Sequence, residues 1–298
     1  MPGTIVVTAA DAAYFSLLQD WLASVRSFPE LARLQICVLD VGLGDGQRDW
    51  IAAQNAMTLR PDSDIDLSGR PHPMPYYKAM TARPFLPKYF PDFDTILWLD
   101  ADIWVQDPAF LALYLSAAER HGFAIAPEID RAYVSLFGET NDPRLMHHAV
   151  YYSSFGRSVA DRLIQFPIMS SGAFAARRNH PIWIAWQQAC HRAMQTGPFK
   201  HSEQAALNFA IYNNNTVEQR PHLLPALANW SCALALPMWD PERRKLVEPY
   251  LPHAPIGLVH LNGLRDPLRL STPQGGQIET AMTFAGIRSL MARQSAAG

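Results

Sequence analysis

Short β-branched runs alternate with amphipathic stretches along the first part of the chain, and this alternation constrains the fold more than any other feature. "TIVVTA" is followed by "AAYFSLLQDWLASVRSF", in which Phe15, Leu18, Trp21, Leu22 and Val25 recur at helical spacing. "ARLQICVLDVG" repeats the strand signal and "DGQRDWIAAQNA" the helical one, with Gly42, Gly44 and Gly46 marking the turn between them. Alternating units of this length predict an α/β protein with a mainly parallel central sheet flanked by helices on both faces. "TILWL" reads as a third strand, and "GFAIAPEID", "FPIMSSGAFAAR" and a last one, "APIGLVHLNG", as further strand regions. "AFLALYLSAAER", "HPIWIAWQQACHRAM" and "SEQAALNFAIYN" read as helices, the final one with Ser202 as its N-cap.

Charge and cysteine usage exclude several classes of function. With 25 Lys and Arg against 27 Asp and Glu, the chain has no broad basic field to neutralise a nucleic-acid backbone, so no nucleic-acid partner is expected. Cys37, Cys190 and Cys232 are widely spaced among apolar neighbours and read as buried free thiols in a reducing compartment. The N-terminus lacks the pattern of a secretory signal, and no run approaches the ~20 apolar residues that span a bilayer. A cytoplasmic location is the expectation. On that footing "NWS" at Asn229 is a chance tripeptide, not a glycosylation acceptor.

The stretch "TILWLDADIWVQDP" places Asp100 and Asp102 directly behind a buried apolar run, where open α/β sheets bind ligands. Carboxylates at i and i+2 on an extended chain lie on one side of it, and together they can hold a hard divalent cation, Mn²⁺ or Mg²⁺. Without a ligand, two like charges at a partly buried site are unfavourable. Asp107 reads as a capping acid before the helix at Pro108. A second acidic run at Asp62, Asp64 and Asp66 sits in the Pro-rich loop 60 to 75 and reads as solvated; it also lacks the glycine and glutamate of a calcium loop. His147 and His148 have no ligand partner at suitable spacing and read as structural. Trp230 and Trp239 read as core residues, with sugar stacking as the alternative.

Several segments line up in order across residues 4 to 267: "TIVVTAADAAY", "CVLDVG", "ARPFLPKYFPDFDTILWLDADIWV", "SSGAFAARR", "SEQAALN" and "GLVHLNGLRDP". In this order the sequence resembles the retaining glycosyltransferases of family 8, which have the GT-A-type nucleotide-diphospho-sugar transferase fold. The resemblance implies a catalytic domain over 1 to 270, followed by a C-terminal helical tail over 271 to 298. It implies transfer of a hexose from a nucleotide-diphosphate sugar, of uridine type, to a saccharide, lipid-linked or other hydroxyl acceptor, with retention of configuration. Asp100, Asp102 and His260 are then the metal ligands. Thr8, Ala9, Asp11 and Tyr14 at the first strand, Arg83, Ala101, Ser170, Ser171, Gly263 and Arg265 complete the donor site with the two aspartates. Arg265 stands near the family's diphosphate-binding lysine, one residue closer to the histidine. Glu203, Gln204 and Asp130 are the expected catalytic positions, Gln204 stabilising the sugar cation from its far face.

The departures from the pattern leave two other readings open. The apolar strand ending in Asp-x-Asp also suits an Mg²⁺-dependent phosphohydrolase, although the lysine and second acidic cluster that such enzymes need are missing. A sugar-nucleotide-binding protein that has lost transfer is compatible with "RDPL" where the family has a Lys-Pro pair. The loops 131 to 160 and 237 to 255 are the candidate acceptor region. "TAMTFAGIRSLMARQ" is weakly amphipathic, which admits a weak membrane-surface contact beside the ordinary reading of a packed end helix.

Overall fold

The computed structural model describes residues 3–31, 33–67, 76–134, 143–213 and 220–297. The second half of the Pro-rich loop and part of the 131 to 160 loop lie outside them. The chain runs β1 (Thr4–Ala10), α1 (Phe15–Arg26), β2 (Gln35–Asp40), α2 (Asp45–Ala53), β3 (Met57–Leu59), α3 (Tyr77–Ala82), α4 (Leu86–Tyr89) and β4 (Thr95–Leu99). It continues through β5 (Ile103–Val105), α5 (Ala109–His121), β6 (Phe123–Pro127), α6 (Pro143–Phe155), α7 (Arg157–Leu163), β7 (Met169–Arg177), α8 (Ile182–Thr196) and α9 (Phe199–Asn213). The short strands β8 (His222–Leu223), β9 (Trp230–Ser231), β10 (Met238–Asp240), β11 (Lys245–Val247) and β12 (Leu258–His260) follow. The hairpin β13 (Pro267–Ser271) and β14 (Gln277–Ala281) and the helix α10 (Phe284–Ala297) come last.

The central sheet has the order β3-β2-β1-β4-β7-β6-β8. Strands β3, β2, β1 and β4 are parallel, as the alternation requires, while β7 runs antiparallel between β4 and β6. Because side chains alternate along a strand, the sheet feeds two cores. Ile5, Val7, Ile96, Trp98, Phe174 and Ala176 face α6, α8 and α9, where Trp183 and Trp186 fill the space. Val6, Leu97, Leu99, Ala173 and Ala175 face α1 and α5, against Leu18, Trp21, Leu22, Leu111 and Tyr114. The insertion of β7 brings its first residues, Met169 to Gly172, to the edge where β1 and β4 end; Asp100 N–H donates to Gly172 O at 2.8 Å.

A third core joins the late segments. Trp104, Trp230, Trp239, Leu246, Leu270, Met282, Ile287 and Leu290 pack together. Trp230 and Trp239 are both fully buried, so the core reading holds and neither indole is available to stack on a sugar. Two expectations for this region are corrected. "APIGLVHLNG" is not the last strand, since the β13–β14 hairpin comes after it. A boundary between 270 and 271 falls inside β13, and the segment after it is a strand before it is a helix; Trp104 Nε1 donates to Met282 O at 2.8 Å, tying it to β5.

Local chemistry changes two further readings. Asp64 is not solvated: its side chain is 4% exposed, accepts from Lys88 Nζ at 2.7 Å and from the Tyr89 hydroxyl, and so anchors the loop to α4. Ser202 does not cap its helix. The chain is non-helical at Lys200 and His201, the latter with φ 68°, and the Ser202 hydroxyl donates back to Pro198 O. Asp107 does cap, accepting from Ala109 N–H at 3.0 Å. All three cysteines are buried and free.

Candidate active site

Asp100 comes directly after the last residue of β4, and Asp102 lies in the turn that leads to β5. The two carboxylates meet through this turn, closed by Ile103 N–H to Asp100 O at 3.0 Å, not through the alternation of an extended strand. Antiparallel pairing of β12 with β5 sets His260 opposite Ile103, and Leu261 N–H donates to Asp102 O at 3.0 Å. Backbone register alone therefore delivers the histidine to the aspartates. His260 Nε2 lies 3.3 Å from Asp102 Oδ1 and 3.9 Å from Asp100 Oδ2. Asp100, Asp102 and His260 each offer a ligand atom, all within 4.8 Å of one another.

The donor set fits a divalent cation. His260 Nδ1 pairs with Asn229 Oδ1 at 3.1 Å, and a carbonyl oxygen only accepts, so Nδ1 carries the proton and Nε2 is turned toward the carboxylates. Burial raises the Asp100 carboxyl above the usual range, with Arg83 and His260 opposing. For Asp102 burial pushes the same way, but His260 together with the Asp102 and Gly263 backbone N–H groups opposes it and leaves that carboxyl low. His260 shows the reverse: burial opposes its charge, and Asp102, Asp100 and Glu128 together raise it.

Gly172 leaves room for this arrangement. A Cβ there would stand 2.5 Å from His260 Cε1 and 3.1 Å from Asp100 Oδ2. Gly172→Ala is expected to displace the imidazole and weaken Mn²⁺ binding by about 10- to 100-fold. Isothermal titration with Mn²⁺ checks this, alongside a far-ultraviolet dichroism spectrum that should match the unaltered protein.

A second layer surrounds Arg83, which is buried beside the Trp98 indole, its guanidinium carbon 4.9 Å from the ring centroid. It donates to Ser171 Oγ at 3.0 Å, to Glu203 Oε2 at 2.8 Å and to Asp100 Oδ1. Ser171 Oγ donates in turn to Glu203 Oε2 at 3.1 Å, and Trp98 Nε1 to Asp100 Oδ1 at 2.8 Å. Burial pushes the Glu203 carboxyl up to about 7, against the pull of Arg83. Tyr14 and Arg265 form the rim, the guanidinium carbon 4.8 Å from the phenol ring. Burial, followed by nearby Asp102, raises the Tyr14 phenol. Gly263 N–H donates to the Asp102 carboxylate, from a backbone with φ 89° that suits glycine.

The remaining expected residues divide. Gln204 is half-buried and bonded to Glu128, and Ser170 is buried with its hydroxyl on the same Glu128. Ala101 is buried in the turn between the aspartates, and Ala9 is half-buried at the end of β1. Thr8 is fully buried, so its side chain does not reach a donor as the residue stands. Asp11 is occupied in the turn before α1, its Oδ1 accepting from Ala13 and Tyr14 N–H, each at 3.0 Å. Asp130 is likewise a turn residue, accepting from Ala132 N–H at 2.8 Å.

The acid in that segment which reaches Gln204 is Glu128, two residues earlier. A register shift between Ile125 and Pro127 interrupts the pairing of β6 with β7. Proline has no N–H for the ladder, and such a bulge re-aims the side chains beyond it. Strict alternation from Ala124 and Ala126 would send residue 128 to the α5 face; the bulge delivers it to α9 instead. His147, read as structural, is buried and lies 3.8 Å from this carboxylate, its imidazole held down to about 4 by burial.

Residues 6–133 match the family model described as glycosyl transferase family 8. No curated protein is similar enough in sequence to count as a relative. Among solved structures, the galactosyltransferase LgtC in complex with donor and acceptor sugar analogues superposes with a TM-score of 0.53 at 17% identity, over 86% of each chain. An active-site mutant of LgtC gives 0.52 at 16% identity, again over 86% of each chain. At such identities the structural likeness speaks for the fold, and the family match covers the Asp-x-Asp but ends before Gly172, Glu203 and His260. Residues 6–133, the Asp-x-Asp included, are thus similar to the glycosyltransferases of family 8, and the chain carries them on a GT-A-type α/β fold.

Proposed function

We propose that this protein transfers a hexose from a nucleotide-diphosphate sugar, of uridine type, to a saccharide, lipid-linked or other hydroxyl acceptor, with retention of anomeric configuration. The observation that carries the reading is the meeting of Asp100, Asp102 and His260 at the edge where β1 and β4 end. They would hold Mn²⁺ or Mg²⁺, which supplies charge neutralisation for the leaving diphosphate. The residues around them have separate tasks. Arg83 adds a buried positive charge beside Asp100, held there by Glu203 and Ser171. Arg265, exposed on the rim, can clamp a phosphate from outside. Gln204 stabilises positive charge on the anomeric carbon as the bond to the leaving group breaks. The three buried free thiols support a reducing, cytoplasmic setting. Among the described residues no helix is long and apolar enough to cross a membrane.

The test is a panel of nucleotide sugars with Mn²⁺, tracking slow donor hydrolysis, together with melting in uridine diphosphate. Saturation at about 100 times the dissociation constant stabilises by roughly 2.7 kcal/mol, and omitting the metal removes most of that gain. No shift with any nucleoside diphosphate sinks the transferase reading. Phosphate release from simple monoesters supports the phosphohydrolase instead, and a shift without any donor hydrolysis supports the inactive binder.

A further inference from the structure

A primary amide has a donating and an accepting end, and its surroundings decide which end a cleft meets. Gln204 Nε2 donates to Glu128 Oε1 at 2.8 Å and to Met169 O at 3.2 Å, which uses both of its N–H groups. The Met169 carbonyl is itself fixed, because Asn208 Nδ2 donates to it at 3.0 Å while Asn208 Oδ1 accepts from Met169 N–H at 2.8 Å. No donor among the described residues reaches Gln204 Oε1. Turning the amide over would set that oxygen against a carboxylate and a carbonyl, both of which only accept. The Ser170 hydroxyl also bonds Glu128, and His147 Nε2 stands 3.8 Å from the carboxylate.

We propose that Glu128 is a positioning residue: its carboxylate locks the Gln204 amide so that Oε1, the electron-rich end, is presented to the donor sugar. This rests on the transfer reading above, in which Gln204 faces the anomeric carbon. The amide nitrogen in that place would repel the developing positive charge, so the lock matters for the transition state and little for ground-state binding.

The experiment compares Glu128→Ala and the isosteric Glu128→Gln with the unaltered protein. Misplacing a group at the reacting centre costs on the order of 10²-fold, and Glu128→Ala is expected to lower kcat by that much with the donor KM within about twofold. Glu128→Gln keeps an oxygen to offer and is expected to recover part of the loss. Independently of turnover, the side-chain amide of Gln204, assigned by its disappearance in Gln204→Leu, is expected to exchange slowly in the ¹⁵N–¹H spectrum. In Glu128→Ala it is expected to exchange fast. An unchanged kcat or an unchanged amide exchange in Glu128→Ala overturns the proposal. So does a loss that Glu128→Gln fails to relieve and that tracks a fall in melting temperature. If no nucleotide sugar is turned over by the unaltered protein, the transfer reading falls, while the amide exchange still decides whether the lock exists.

Discussion

Replacing Asp102 with alanine is expected to cut donor turnover on the order of 10³-fold and to erase the stabilisation that Mn²⁺ confers in the presence of uridine diphosphate. Asp102 is the better choice of the two aspartates because its carboxylate engages His260 and the Gly263 backbone but not Arg83. Asp100 also receives Arg83 and the Trp98 indole, so its loss would disturb the buried charge network as well as the metal ligands. The result is read from melting curves with and without Mn²⁺ at saturating nucleotide, beside the hydrolysis rate. In Asp102→Ala the two curves should coincide. A metal-dependent shift of the original size would remove Asp102 from the ligand set.

The second large effect concerns stability. Arg83→Ala leaves Asp100 and Glu203 without their shared cation in a buried site, and breaking a buried pair from one side typically costs about 3–5 kcal/mol. For a chain of this size that corresponds to a fall in melting temperature of roughly 10 °C. Lysine at this position carries the charge but not the planar fork that reaches both carboxylates and Ser171, so Arg83→Lys should regain only part of the loss. Removing the orphaned acid as well, in Arg83→Ala with Glu203→Gln, should raise the melting temperature above that of the single variant. If the double variant melts lower still, the cost lies in lost packing against Trp98 and not in the stranded charge.

The parallel part of the sheet and the place of Asp100 and Asp102 at its edge were legible in the sequence because local signals carry them. The apolar run before Asp100 and the alternation of strands and helices are short-range patterns, whereas Gln204 and His260 are singled out only by the resemblance to family 8. The parts that escaped depend on long-range geometry. The antiparallel course of β7 is set by pairing with β4 and β6, and nothing in "MSSGAFAAR" states a direction. Glu128 was passed over for Asp130 because alternation along "FAIAPEID" cannot anticipate the bulge at Pro127, although a proline inside a strand is the signal that alternation is about to fail. Asn229 was read only as part of a tripeptide, yet it orients His260 across 31 positions of chain. The β13–β14 hairpin had its own sign in "TPQGGQ", a Pro- and Gly-rich turn between two alternating runs, and was absorbed into a supposed helical tail.

The register of β12 on β5 has one more consequence. Asp100 and Asp102 sit where the chain leaves the seven-stranded sheet, whereas His260 ends a strand of the three-stranded one. A cation held by all of them would cross-link two sheets, and so would join the end of β4 to the tryptophan-rich core that backs the smaller sheet. Such a cation would therefore tie the late third of the chain to the edge where β1 and β4 end.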